Sequence, residues 1–241
     1  MTELPDNISY ERWVKHVFDH PVFDDKWWFR GDEYAEEWDA EALPAMTLEY
    51  MTRLFSNPGF LLQKYQPEQI DQGLNYLAFN ACSNHMFVLS NKSLPWPDRK
   101  ACFESMVPLY RDLMAPVYGD YLAGNNHEDP AFARNFSCAA WWDMIPIYNE
   151  RGKERHVIND AIFNVFRQVL QLDSEACLES VLVGLNLWSW ILPRESKELA
   201  ERFLRERPMV SQELKDQAKH IITLRATTKV LKFYSRPKNG M

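Results

Sequence analysis

The sequence predicts an all-α protein of stacked antiparallel helix pairs. Three observations predict it. Apolar residues recur at helical spacing along most of the chain. Capping residues and prolines punctuate that spacing at short intervals. No run of alternating β-branched residues interrupts it, and no Asn-Gly or Asp-Gly pair stands between two strand-like runs.

Taken in order, Ser9 is placed to cap a first helix, with Trp13, Val14, Val17 and Phe18 on one face and Pro21 beyond its end. Thr47 is expected to cap the next, which carries Leu48, Met51, Leu54 and Phe55 and closes at the turn Ser56-Asn57-Pro58-Gly59. Pro67 suits the first turn of a third helix through Ile70, Leu74, Leu77 and Ala78. Asp98 is expected to cap a fourth through Ala101, Met106, Leu109 and Leu113. Pro108 lies inside that run, and it should kink or divide the helix because it lacks an N–H and crowds the carbonyl four residues back. Val157, Ile158, Ala161, Ile162, Val165, Phe166, Val169 and Leu170 then form a long stripe. Asp173-Ser174 gives a turn and cap before an apolar helix from Ala176 to Trp190, stopped by Pro193. Leu199, Phe203 and Leu204 mark another helix ending at Pro208, and Ser211 opens the last, through Leu214, Ala218, Ile221 and Ile222.

One internal echo links two of these helices. Asp98 to Val107 and Asp173 to Leu182 share the pattern D-x-x-A-C-φ-E-S-φ-φ, with five identities in the first eight positions. A weaker echo pairs Gly73-Leu-Asn-Tyr-Leu with Gly184-Leu-Asn-Leu-Trp. In the first motif Asp should cap, Ala and Cys should allow close helix approach, and Ser should bond back to a carbonyl one turn earlier. Two copies at irregular separation point to a divergent duplication of helical hairpins. Over residues 47–224 this arrangement resembles the HEAT and armadillo class, and the resemblance implies a HEAT-like α-solenoid or a compact helical bundle. The C-x-E-S-x-x-x-G-L run of residues 177–185 also resembles one found in poorly characterised bacterial helical proteins. No activity follows from that likeness.

Composition narrows the function classes. With 46% apolar and 14% aromatic residues the chain can bury a large core, which excludes a disordered protein. The net charge of -7 argues against broad nucleic-acid binding, and no nucleic-acid partner is expected. The N-terminus has neither the basic nor the apolar part of a signal peptide. Every apolar stretch falls short of the roughly 18 residues of a membrane span. A cytoplasmic protein is therefore expected, with Cys82, Cys102, Cys138 and Cys177 as free, buried thiols. A single helical domain over 1–241 is expected, with an acidic aromatic segment at 1–46 and a basic tail at 225–241.

Motifs for chemistry are missing. The chain has no HExxH, no HxH, no glycine-rich phosphate cradle and no GxSxG elbow, so no metal, cofactor or catalytic residue is expected. His127-Glu128-Asp129 reads as a helix lead-in and Asp216 with His220 as a surface pair. Cys102 and Cys177 each precede a glutamate by two residues, a spacing that puts the two groups on different helix faces. The sequence thus favours a non-catalytic interaction scaffold, of immunity or antitoxin type, for a basic protein partner. Asp32, Glu33, Tyr34, Glu36, Glu37 and Trp38 would bind that partner, because aromatic rings anchor interfaces and carboxylates steer basic partners. The alternative is a small-molecule enzyme or binding protein whose pocket is lined by Trp141, Trp142, Trp188 and Trp190.

Overall fold

The structure, a computed structural model, describes residues 8–22, 26–30, 43–123, 130–146 and 154–224. Among the described residues all regular structure is helical. The elements are α1 (Tyr10–Phe18), a one-turn 3-10 helix at Trp27–Phe29, α2 (Pro44–Ser56), α3 (Leu61–Lys64), α4 (Pro67–Ala78) and a 3-10 helix at His85–Leu89. They continue as α5 (Trp96–Leu109), a π-helical turn at Tyr110–Met114, α6 (Ala115–Tyr118), α7 (Pro130–Ala139), α8 (Trp141–Met144) and α9 (Arg155–Val169). The last are α10 (Glu175–Trp188), α11 (Pro193–Glu206) and α12 (Gln212–Thr223). No helix among the described residues is long and apolar enough to cross a membrane. The chain divides into two compact units, Met1–Val181 and Leu182–Met241.

In the first unit α2 packs on α5, α5 on α9, α1 on α4 and α4 on α7. These pairings skip intervening elements, so the unit is a bundle in which α5 has neighbours distant in sequence. Its core carries the expected stripes: Trp13, Val17 and Phe18 of α1, Met51, Leu54 and Phe55 of α2, and Ile162, Val165 and Phe166 of α9 are all inaccessible to solvent. In the second unit α11 and α12 pack as a sequential hairpin. Leu199, Ala200 and Phe203 face inward there with Leu214, Ala218 and Ile221. The outer side of α11 is a ladder of i,i+4 pairs, Arg194–Glu198, Lys197–Glu201 and Arg202–Glu206. These exposed pairs give the helix modest support that salt screens.

Two expected caps are corrected. Thr47 lies inside α2, fully buried, because Pro44 starts the helix a turn earlier. Asp98 lies in the first turn of α5, which Pro95 precedes and Pro97 opens, so it does not cap that helix. Ser9 does cap α1, accepting from the Arg12 N–H at 3.3 Å. At α10 the capping group is Ser174, whose Oγ accepts from the Cys177 N–H at 3.4 Å, while Asp120 accepts from the Glu175 N–H at 3.1 Å. Gly119 makes that second contact possible. Its φ of 58° turns the chain out of α6, and its carbonyl accepts from Ser174 Oγ at 2.6 Å.

The helix runs through Pro108 and widens two residues on into the π turn at Tyr110–Met114, before Pro116. Two prolines in one helical run remove two ladder hydrogen bonds, and a π turn between them lets the remaining carbonyls find other partners.

Gly73 sets the contact of α4 with α1. A Cβ there would stand 2.5 Å from Phe18 Cε1 and 2.9 Å from the Val17 carbonyl oxygen, closer than real side chains come. Gly73→Ala should gain up to about 1 kcal/mol in helix propensity but lose about 3 kcal/mol by forcing the two helices apart. A net loss near 2 kcal/mol, read as a Tm lower by roughly 4–8 °C, is the expected result of a thermal melt. An unchanged Tm would show that α1 slides without cost.

Candidate partner-binding site

Of the residues expected to bind a partner, Asp32, Glu33, Tyr34, Glu36, Glu37 and Trp38 all lie outside the described residues. So do the basic tail at 225–241 and the His127-Glu128-Asp129 triplet. What the structure does show is how the chain is fastened immediately before the acidic run.

α1 delivers Trp13 and His16, and the chain just beyond it His20, toward α4 and the 3-10 helix at His85–Leu89. The Trp13 indole N–H donates to His85 Nε2 at 3.0 Å. Accepting there makes His85 the neutral Nδ1–H tautomer. His16 Nε2 and the Tyr76 hydroxyl are hydrogen-bonded at 3.1 Å, and His20 Nε2–H donates to the His16 carbonyl at 2.6 Å. Two glutamines of α4 then hold the main chain beyond α1: Gln69 Nε2 donates to the His20 carbonyl at 3.0 Å and Gln72 Nε2 to the Pro21 carbonyl at 3.3 Å. Burial disfavours the cationic form of both deep histidines. It lowers the pKa of His20 and drives that of His85 down to about 3.

The returning chain lays Trp27 into this cluster. Its ring stacks on His20 with centroids 3.8 Å apart and planes 12° from parallel, and it meets Tyr76 at 4.7 Å and His16 edge-on at 5.5 Å. Trp28 also contacts the Tyr76 ring, at 5.7 Å. Trp27 is 3% exposed, whereas Phe29, two residues on, is 68% exposed. A one-turn helix therefore has one tryptophan in the core and one phenylalanine in water, and five carboxylates follow between Asp32 and Asp39.

This cluster was not readable from spacing. Its members sit at positions 13, 16, 20, 27, 76 and 85, and only Trp13, His16 and His20 are at helical intervals from one another. Trp27 is the buried ring that pins the returning chain to His20 and Tyr76.

The alternative tryptophans fall in separate units, and each pair stands by itself. In the first unit Trp141 and Trp142 are fully buried. Trp141 packs edge-on against Phe55 at 6.0 Å; Trp142 meets Phe166 at 4.8 Å and stacks over Tyr110 at 6.5 Å. The Trp141 indole N–H has no acceptor among the described residues. In the second unit Trp188 is buried and Trp190 half exposed.

The remaining candidates have ordinary partners. Asp216 accepts from Lys219 Nζ at 3.0 Å and from Gln212 Nε2 at 2.7 Å, and those bonds lower its pKa. Among the described residues no three His, Cys, Asp or Glu side chains converge as metal ligands would. The two copies of the echoed motif have diverged in their surroundings. Glu104 is exposed and pairs with Lys100 at 3.4 Å. Glu179 is buried and accepts from the Ala123 N–H at 2.7 Å and Asn135 Nδ2 at 3.1 Å. Ser105 bonds back to the Cys102 carbonyl as expected, while Ser180 instead meets the Tyr110 hydroxyl at 2.6 Å.

Comparison with known proteins adds no relative: no family model, no curated protein and no solved structure matches the chain.

Proposed function

We propose that this chain is a helical interaction protein that takes a basic protein partner on an acidic aromatic surface beginning at Phe29. The observation that carries the reading is the contrast between Trp27 and Phe29, one locked against His20 and Tyr76, the other 68% exposed beside the acidic run. A large apolar ring held in water by a fixed neighbour loses little entropy on binding, which suits an anchor. The carboxylates of Asp32, Glu33, Glu36, Glu37 and Asp39 would steer a cationic partner and raise its association rate. The whole-chain charge of -7 acts in the same direction. A role of immunity or antitoxin type, in which a compact acidic protein neutralises a basic one, is the form of interaction this charge balance suits.

The test begins with affinity capture on the full chain from native extract, followed by binding measurements with the purified partner. A basic protein recovered at one-to-one stoichiometry is expected. Reversing Glu33, Glu36 and Glu37 to lysine should weaken it at least 100-fold at low salt, mainly by slowing association, and Phe29→Ser should speed dissociation. The reading fails if capture repeatedly returns no stoichiometric partner. It fails equally if the partner binds the charge-reversed chain with unchanged affinity.

A further inference from the structure

Two short stretches beyond α1, residues 19–22 and 26–29, are held against one face of α4 as a bound peptide would be. Gln69 and Gln72 of α4 donate from Nε2 to successive main-chain carbonyls, those of His20 at 3.0 Å and Pro21 at 3.3 Å. Gln69 is itself oriented, because its Oε1 accepts the Gln66 N–H at 3.2 Å. Tyr76 follows Gln72 by one turn on the same face, and its ring receives both Trp27 and Trp28. His16 of α1 meets Trp27 edge-on. Both glutamine contacts are to main chain, so this face reads a pair of carbonyls and an aromatic ring.

The present occupant leaves polar atoms unmatched. Trp27 and Trp28 each bury an indole N–H with no acceptor among the described residues, and Gln72 buries an Oε1 with no donor among them. Such atoms give up their water with nothing in return, which weakens the contact. Val22 and Phe29, the last residues of the two stretches, remain exposed. α1 is anchored separately, since its Trp13, Val17 and Phe18 are buried in their own right. The two stretches can therefore leave α4 while α1 stays in place, a local opening that lets one occupant replace another.

We propose that the face of α4 carrying Gln69, Gln72 and Tyr76 is a peptide-binding track, filled in the free chain by its own His20–Pro21 carbonyls and Trp27–Trp28 rings. Its external ligand is a peptide that offers two successive main-chain carbonyls followed by a tryptophan. A ligand that also brings an acceptor to the indole N–H outdoes the resident stretches, which leave that group unmatched. The track stands apart from the acidic surface, because it needs no basic partner. The two are nonetheless linked: a peptide seated on α4 displaces Trp27, and with it the base on which Phe29 stands.

The probe is the synthetic peptide of residues 19–30, labelled at its N-terminus and titrated into the full chain by fluorescence anisotropy. In the wild-type chain the tethered copy competes at an effective concentration of roughly millimolar. Trp27→Ser together with Trp28→Ser loosens that copy and leaves α4 untouched, so this chain should bind the peptide at least about 10-fold more tightly than wild type. Adding Gln69→Leu and Gln72→Leu should then weaken binding about 10-fold, for two lost hydrogen bonds, and a scrambled peptide should not bind. Equal affinity for the wild-type and tryptophan-variant chains overturns the resident ligand. Equal affinity with and without the two glutamines overturns the track. If the tryptophan variant does not fold, the wild-type chain decides. A millimolar peptide carrying benzoylphenylalanine at the position of Trp28 should then photo-crosslink to α4, and crosslinks that are absent or scattered along the chain overturn the proposal.

Discussion

Arg99→Ala is expected to cost about 3–5 kcal/mol of stability, enough to lower a urea midpoint severely. The guanidinium is 1% exposed and spends its donors on three acceptors. Nε donates to the Leu94 carbonyl and Nη1 to the Leu89 carbonyl, both at 3.3 Å, and Nη2 reaches Glu154 Oε2 at 2.6 Å. The same group lies 5.4 Å from the centre of the Trp96 ring. Arg99 thereby ties the end of the His85–Leu89 helix, the loop after it and the entry to α9 to the first turn of α5. Truncation leaves two carbonyls without their donor, at about 1–3 kcal/mol each, and opens a hole beside them.

Two companion variants separate the ion pair from the carbonyl contacts. Glu154 is 36% exposed, so Glu154→Gln should cost about 1 kcal/mol or less, since water replaces much of what is lost. Arg99→Lys keeps the charge but replaces a planar fork with one point donor, and should fall between the two. Equal losses for Arg99→Ala and Glu154→Gln would mean that the pair alone matters and that the carbonyl contacts contribute nothing.

Arg99 also shows where the sequence is legible and where it is not. The apolar stripes of α1, α2, α4 and α9 are local patterns, and the structure buries Trp13, Leu54, Leu74 and Val165 as those patterns require. The effect of Pro108 is equally local, because it follows from a missing N–H. The start of α5 was misplaced for a local reason as well. An aspartate is a strong cap signal, but Pro97 one residue earlier opens the helix ahead of it. Arg99 itself occupies a variable position of the echoed motif, and nothing nearby marks a charge that will be buried. Its partners come from 10 residues before it and 55 after it. Glu104 and Glu179 make the same point, since identical motif positions lie in water and in the core respectively. The acidic aromatic segment is legible in the sequence from its composition, five carboxylates between Asp32 and Asp39 among aromatic residues. The attachment that holds its leading edge is built from four separate stretches of chain, and no spacing rule finds that.

Acid is expected to unfasten that attachment through His85. Its folded-state pKa lies near 3 against 6.5 for an unperturbed imidazole, so the unfolded chain binds the proton more readily throughout that interval. The resulting stability is fully present above about pH 6.5 and is lost as pH falls toward 3, at about 1.4 kcal/mol per unit and roughly 4–5 kcal/mol in all. The physical cause is double: the cation would be desolvated, and protonated Nε2 could no longer accept the Trp13 N–H. His20, whose pKa burial also lowers, adds a loss of the same sign. Asp71 acts in the opposite sense. Burial raises its pKa, so the folded state takes up its proton first and gains stability as pH falls through that raised value. Urea midpoints measured from pH 7.5 to pH 4 should therefore decline below about 6.5. His85→Phe should be less stable than wild type at pH 7.5 by about 1–2 kcal/mol, having orphaned the Trp13 N–H, yet its stability should fall less steeply toward pH 4. An unchanged slope would remove His85 as the cause. Because the same cluster holds Trp27, partner affinity should weaken over the same interval, and it should do so less in His85→Phe than in the wild-type chain.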